Sequence, residues 1–126
     1  MNRRSIALFL LVAAASVGLA GSAFAGDAAA GKALFEANCA SCHGTSGKGD
    51  GPVGAALNPP PRDFTVGAFK FDADGNGTPG EDADLTSVIQ KGAMAFGGSA
   101  LMAPWPTLSE AQIGDVIAHI RTLKKK

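Results

Sequence analysis

The chain has 126 residues, 46% of them hydrophobic, with eleven basic and eleven acidic side chains and a formal net charge of zero. The even charge, with no basic stripe, excludes a nucleic-acid binder, and the length allows one small domain. Both of its cysteines fall within four residues of each other, which excludes a framework of long-range disulfides.

The first 25 residues read as a secretory signal peptide. Arg3 and Arg4 form a basic start, residues 6–20 are nearly all apolar, and Ala23-Phe24-Ala25 is a small-x-small cleavage site. The apolar run is short for a bilayer span, which needs about 20 residues. An uncleaved N-terminal anchor is the alternative. No later segment could span a membrane. The expected location is the periplasm or another exported compartment. Removing 25 residues leaves 101, from 26 to 126, and loss of Arg3 and Arg4 leaves nine basic against eleven acidic residues, a formal −2.

Asp27 is placed to cap a first helix over residues 28 to about 40. Gly31 inside it costs about 1 kcal/mol relative to alanine. The missing side chain would let another helix approach, on the face that Phe35 shares four residues later. This helix leads into Cys39-Ala40-Ser41-Cys42-His43, a pattern that reads as a haem attachment site. Each thiol can add to one vinyl group, and one helical turn spans the two vinyls. The next residue then falls under the iron, where an imidazole nitrogen can bind it. The rivals explain less. A thioredoxin-like pair would need a βαβ setting. Structural zinc needs four ligands, and only His119 and carboxylates remain outside the pentapeptide. A disulfide between Cys39 and Cys42 leaves His43 unexplained.

Residues 44–54 are a glycine-rich loop, and Asn58-Pro59-Pro60-Pro61 is stiff. A metal-bound histidine usually donates its second ring N–H to an acceptor. A carbonyl of this loop is expected to serve, with Pro52 favoured. Phe64, Phe69 and Phe71 are expected to line the haem pocket, ordinary core being the alternative. Asp72, Asp74 and Asn76, followed by Gly77, match the first half of an EF-hand calcium loop. Position twelve is Ala83, where a bidentate glutamate belongs. The alternative is an Asp/Asn/Gly surface turn whose acids are solvated or cap the next helix. That helix is expected over about residues 83–91, capped by Asp82 or a neighbour, with Leu85, Val88 and Ile89 on one apolar face and Gly92 at its end. Residues 94–106 form a loop. Ser109 and Gln112 then make a capping box for a last helix that buries Ile113, Val116, Ile117 and Ile120, with His119 beside that face.

The second axial ligand decides the function. Met94, Met102, His119 and the lysines are the available donors. Met102 is favoured because Pro104 stiffens the chain beyond it and Trp105 can cover the haem edge. Met94 lies close behind a helix end, with less loop to reach across the ring. Taken in order, several features resemble the class I cytochromes c over the whole chain after residue 25. They are Gly31 and Phe35 leading into CASCH, Gly51-Pro52, the helix ending at Gly92, Met102-Ala103-Pro104-Trp105, and the final LSEAQIGDVIAHIRTL. The resemblance implies an all-α fold of three to four helices and long loops wrapped around one covalently bound haem. Cys39 and Cys42 would hold the haem, His43 would be the proximal ligand and Met102 the distal one. It further implies a non-enzymatic carrier of single electrons that docks larger redox proteins through the exposed haem edge. The alternatives are a dedicated haem subunit of a dehydrogenase or oxidase, or a sensor or enzyme with a labile sixth ligand. Two positions depart from the family. His119 stands where an aromatic residue is common, packed near Gly31, and pH sensitivity is expected from it. The acidic loop from Asp72 is not general in the family and would serve a partner or calcium.

Overall fold

The computed structural model describes residues 26–126, and the expected signal peptide lies outside them. Four α-helices and three short 3₁₀ turns make up the regular structure of the described residues, with no strand. They are α1 (Ala28–Asn38), α2 (Ala40–His43), α3 (Asp82–Lys91) and α4 (Glu110–Thr122), with 3₁₀ turns at Gly54–Ala56, Phe64–Val66 and Ala93–Phe96.

The helices begin where side chains satisfy their free amides. Asp27 accepts from the N–H groups of Ala29 and Ala30 at 2.9 and 3.2 Å. Ser109 and Gln112 close the expected capping box, with bonds of 3.2 and 2.9 Å. For α3 the neighbour, not Asp82, takes the cap. Glu81 is the N-cap residue, and its N–H donates to Asp84 at 2.9 Å. Gly92 closes α3 at a φ of 79°.

The core forms where α1 crosses α4. A Cβ on Gly31 would lie 1.8 Å from the carbonyl oxygen of Asp115, so the two backbones touch and only glycine fits. Phe35 and Ile113 are completely buried beneath this crossing, with Val116 beside them. Leu85 and Ile89 bring α3 into the same cluster. Arg121 of α4 fastens the far end of α3, donating to Asp82 at 2.7 Å and to the Gly80 carbonyl at 2.6 Å. No helix of the described residues is long and apolar enough to cross a membrane.

Candidate functional site

Cys39 ends α1 and begins α2, with φ −119° and ψ −30°. Its N–H still bonds the Phe35 carbonyl at 2.8 Å, and its own carbonyl accepts from His43 at 2.9 Å. The break therefore leaves one turn in which Cys39, Cys42 and His43 stand three and four residues apart on one face. The following loop braces this turn from behind. Gly51 donates to the Cys42 carbonyl at 3.1 Å and Val53 to that of Ser41 at 2.9 Å. A Cβ on Gly54 would sit 1.9 Å from the Cys42 oxygen. Both cysteines are free and partly buried. Burial, and then the neighbouring Cys42, pushes the Cys39 thiol up to about 11. A disulfide oxidoreductase needs the opposite shift.

In front of α2 lies a cleft of about 670 Å³, within the range of cofactor sites. Cys42 and His43 line one side of it, together with Pro60, Pro61 and Arg62. Leu85, Val88 and Ile89 of α3 line another part, with Leu101 and Met102. Phe64, Phe69 and Phe71 line it as expected. The walls are mostly apolar, which suits a large flat macrocycle.

His43 Nδ1 lies 3.2 Å from the carbonyl oxygen of Arg62. A carbonyl only accepts, so Nδ1 carries the proton and Nε2 keeps a lone pair. Burial lowers the pKa of His43, partly opposed by the Arg62 carbonyl, so the ring is neutral near pH 7. The expected acceptor, Pro52, is not the one used. Gly51 and Val53 turn their amides onto the back of α2, and a later loop brings the Arg62 carbonyl to the ring edge. The Phe64 ring stacks on the imidazole at 4.5 Å and 18°.

Met102 is half-buried and lines the cleft. Its backbone is tied to the 3₁₀ turn that follows α3, its carbonyl accepting from Ala93 at 3.1 Å. Met94 is 68% exposed and is not among the lining residues. Trp105, expected over the open edge, instead packs against the core, its N–H bonded to the Ile89 carbonyl at 2.9 Å through the backbone. His119 is buried outside the cleft and meets Phe35 edge-on at 5.1 Å.

The sequence model of the Cytochrome c family matches residues 28–124. The chain belongs to the cytochrome c family. It is 40% identical over 103 residues to cytochrome c-554(547) of Halothiobacillus neapolitanus, covering 79% of this chain and all of that protein. It is 38% identical over 117 residues to cytochrome c-555 of Chlorobaculum tepidum, covering 86% and 92%. Subunit CcoP of the cbb3-type cytochrome c oxidase of Rhodobacter capsulatus is 35% identical over 104 residues, 76% of this chain and 29% of CcoP. A chain of the reducing HAO-like protein complex of Kuenenia stuttgartiensis superposes with a TM-score of 0.64 at 34% identity, over 75% of this chain and 41% of that one.

Membership of the cytochrome c family implies covalently bound haem c and haem-based electron transfer. The residues present fit that group: two free thiols at CXXCH spacing, an imidazole with an available nitrogen, and a mostly apolar cleft lined by Cys42 and His43, with Cys39 behind them against the core.

The calcium reading of Asp72, Asp74 and Asn76 finds no support. Asp72 accepts from Asn76 and Gly77 at 3.0 and 2.8 Å, and Asp74 from Asn76 at 3.1 Å. Asp84, only 1% exposed, brings a carboxylate oxygen within 4.8 Å of those of Asp72 and Asp74. It accepts from Ala73 at 2.7 Å and Glu81 at 2.9 Å. Burial raises its pKa, but the amides of Ala73, Glu81, Asp74 and Gly80 outweigh that and hold it below the ordinary value. The acids fold a turn around backbone amides, the alternative expected for this segment. Asp84 carried no signal of its own, since it reads as one more acid in a solvated run.

Proposed function

We propose that this cytochrome c is an exported carrier of single electrons, without catalytic activity of its own. Cys39 and Cys42 would hold the haem by thioether bonds, and His43 and Met102 would bind its iron. When bound, the haem supplies an iron that cycles between ferric and ferrous states. The chain's part is to keep that cycle cheap in reorganisation. The Arg62 carbonyl holds His43 in the tautomer that offers Nε2. Met102, anchored through its backbone to the 3₁₀ turn that follows α3, offers a thioether, which favours the ferrous state and raises the potential. The mostly apolar walls would limit water around the iron.

The observation that carries this reading is that His43 and Met102 line one cleft while Met94 is exposed outside it. Electrons would pass at the cleft mouth to larger redox proteins, in small and weak encounters. A second reading has its own support. Cytochrome c domains like this one occur within CcoP and the HAO-like complex, so the chain could serve one assembly as its haem subunit. Potentiometry and fractionation test both. A free carrier takes up one electron per chain reversibly, reduces no substrate by itself, and runs as a single small species in native extract. Quantitative co-migration with an oxidase or dehydrogenase would favour the subunit reading, and turnover by the isolated protein would reject the carrier.

A further inference from the structure

Arg62 is bound at both ends of its residue. Its carbonyl accepts from His43 Nδ1 at 3.2 Å. Its guanidinium closes on the carbonyl of Ala68, six residues on, through Nε at 2.8 Å and through Nη2. A fork on one oxygen is a directional, charge-assisted contact. The loop it closes is braced within. Asp63 accepts from the N–H and hydroxyl of Thr65 at 2.8 and 2.6 Å. Phe64 donates its N–H to the Gly47 carbonyl at 2.7 Å. From this same loop comes the ring that stacks on His43. One short segment therefore meets the imidazole twice, at its edge through the Arg62 carbonyl and at its face through Phe64.

We propose that Arg62 is a positioning residue for the iron ligand: its side chain, by closing the loop on Ala68, fixes the carbonyl that orients and polarises His43. This inference rests on the reading of His43 as an axial ligand. The consequence is electronic as well as geometric. A firm Nδ1–H bond makes Nε2 a stronger donor, and a stronger donor favours ferric iron. Loosening the loop weakens the bond and raises the potential. Mere loss of a cation beside the iron does the reverse, because a nearby positive charge disfavours the ferric state. The sign of the shift therefore separates positioning from simple charge.

The test uses the holoprotein, with Arg62→Lys and Arg62→Ala. Lysine keeps the charge and loses the planar fork. The readouts are the midpoint potential and the exchange rate of the His43 ring N–H, followed by NMR. Loss of the fork frees the loop that holds the Arg62 carbonyl, so both variants should exchange this proton about tenfold faster, equivalent to about 1.4 kcal/mol. Arg62→Lys should also raise the potential. If both variants only melt earlier, with exchange and potential unmoved, the role is structural and the proposal fails. If Arg62→Ala lowers the potential while Arg62→Lys leaves potential and exchange unchanged, Arg62 acts as a charge and the proposal fails. Wild-type ferric protein supplies the separate check. A His43 ring signal in the ordinary diamagnetic range would mean the iron is not bound there, which removes the ligand reading itself. A strongly shifted signal with unaltered exchange and potential would remove only the role of Arg62.

Discussion

Replacing Gly31 with alanine should destabilise the protein, although alanine is the better helix former. The new Cβ would stand 1.8 Å from Asp115 O, 2.3 Å from Asp115 C and 2.9 Å from Val116 N. All three are backbone atoms of α4, so no side-chain rotation relieves the clash. The crossing must open, which loosens Phe35, Ile113 and Val116 beneath it. Overpacking of this kind costs about 3 kcal/mol at the upper end of the usual range, and helix propensity returns about 1 kcal/mol. The net is about 2 kcal/mol, or a melting temperature lower by about 8–16 °C for a domain of this size. Gly114, in α4 at the same crossing, provides the control. A Cβ there meets nothing within 4 Å, so Gly114→Ala should stabilise by about 0.4–1 kcal/mol. Thermal unfolding of the two ferric holoproteins, followed by helical circular dichroism, compares them. A Gly31→Ala variant as stable as wild type, or shifted in the same direction as Gly114→Ala, would refute the close-contact argument.

His119 is buried, and its Nε2 has no hydrogen-bond partner among the described residues. Burial, and then Lys32, lowers its pKa below 6.5, while Glu36 opposes. The folded state therefore binds fewer protons than the unfolded one, and stability is lost as the pH falls below about 6.5. His119→Tyr should abolish that fall, as melting curves from pH 7 to 5 would show; an unchanged slope would sink the idea. Asp84 has the opposite arithmetic. Its stabilisation is present above the ordinary aspartate value of 3.8 and fades as the pH drops through its lowered one. Asp84→Asn should lower the melting temperature at pH 7 and flatten the acid limb of the stability curve. Calorimetric titration of the holoprotein with calcium should give no heat and no change in melting temperature; saturable binding would restore the loop as a cation site.

What was legible in the sequence was local. One turn of helix places Cys39, Cys42 and His43 wherever the chain goes. Ser109 and Gln112 cap α4 within four residues, and Gly31 announces a close approach four residues from an apolar neighbour. What was hidden depends on the path of the chain. The acceptor for His43 is a backbone carbonyl, a group every residue carries, so nothing in the sequence separated Arg62 from Pro52. The fold decides it, by turning the Gly51 and Val53 amides onto the back of α2 and bringing Arg62 to the ring edge. Trp105 has both an apolar body and a polar tip, which suits core and cleft mouth equally. Asp84 is one of three acids within residues 81–84 and looks solvated until the turn at residues 72–77 folds its amides onto it. Pro104 and the length of loop already favoured Met102 over Met94, and the fold adds that Met102 lines the cleft while Met94 is exposed.

The most direct measurement is the visible spectrum of the holoprotein, oxidised, reduced, and reduced under carbon monoxide, beside Met102→Ala. The closed His43/Met102 site predicts low-spin iron, a methionine-to-ferric charge-transfer band and no response to carbon monoxide in the wild type. The variant should lose the band and bind the gas. Ready binding of carbon monoxide by the wild type would mean an open sixth position, against the electron-carrier account. A band that survives in Met102→Ala would move the ligand to another residue.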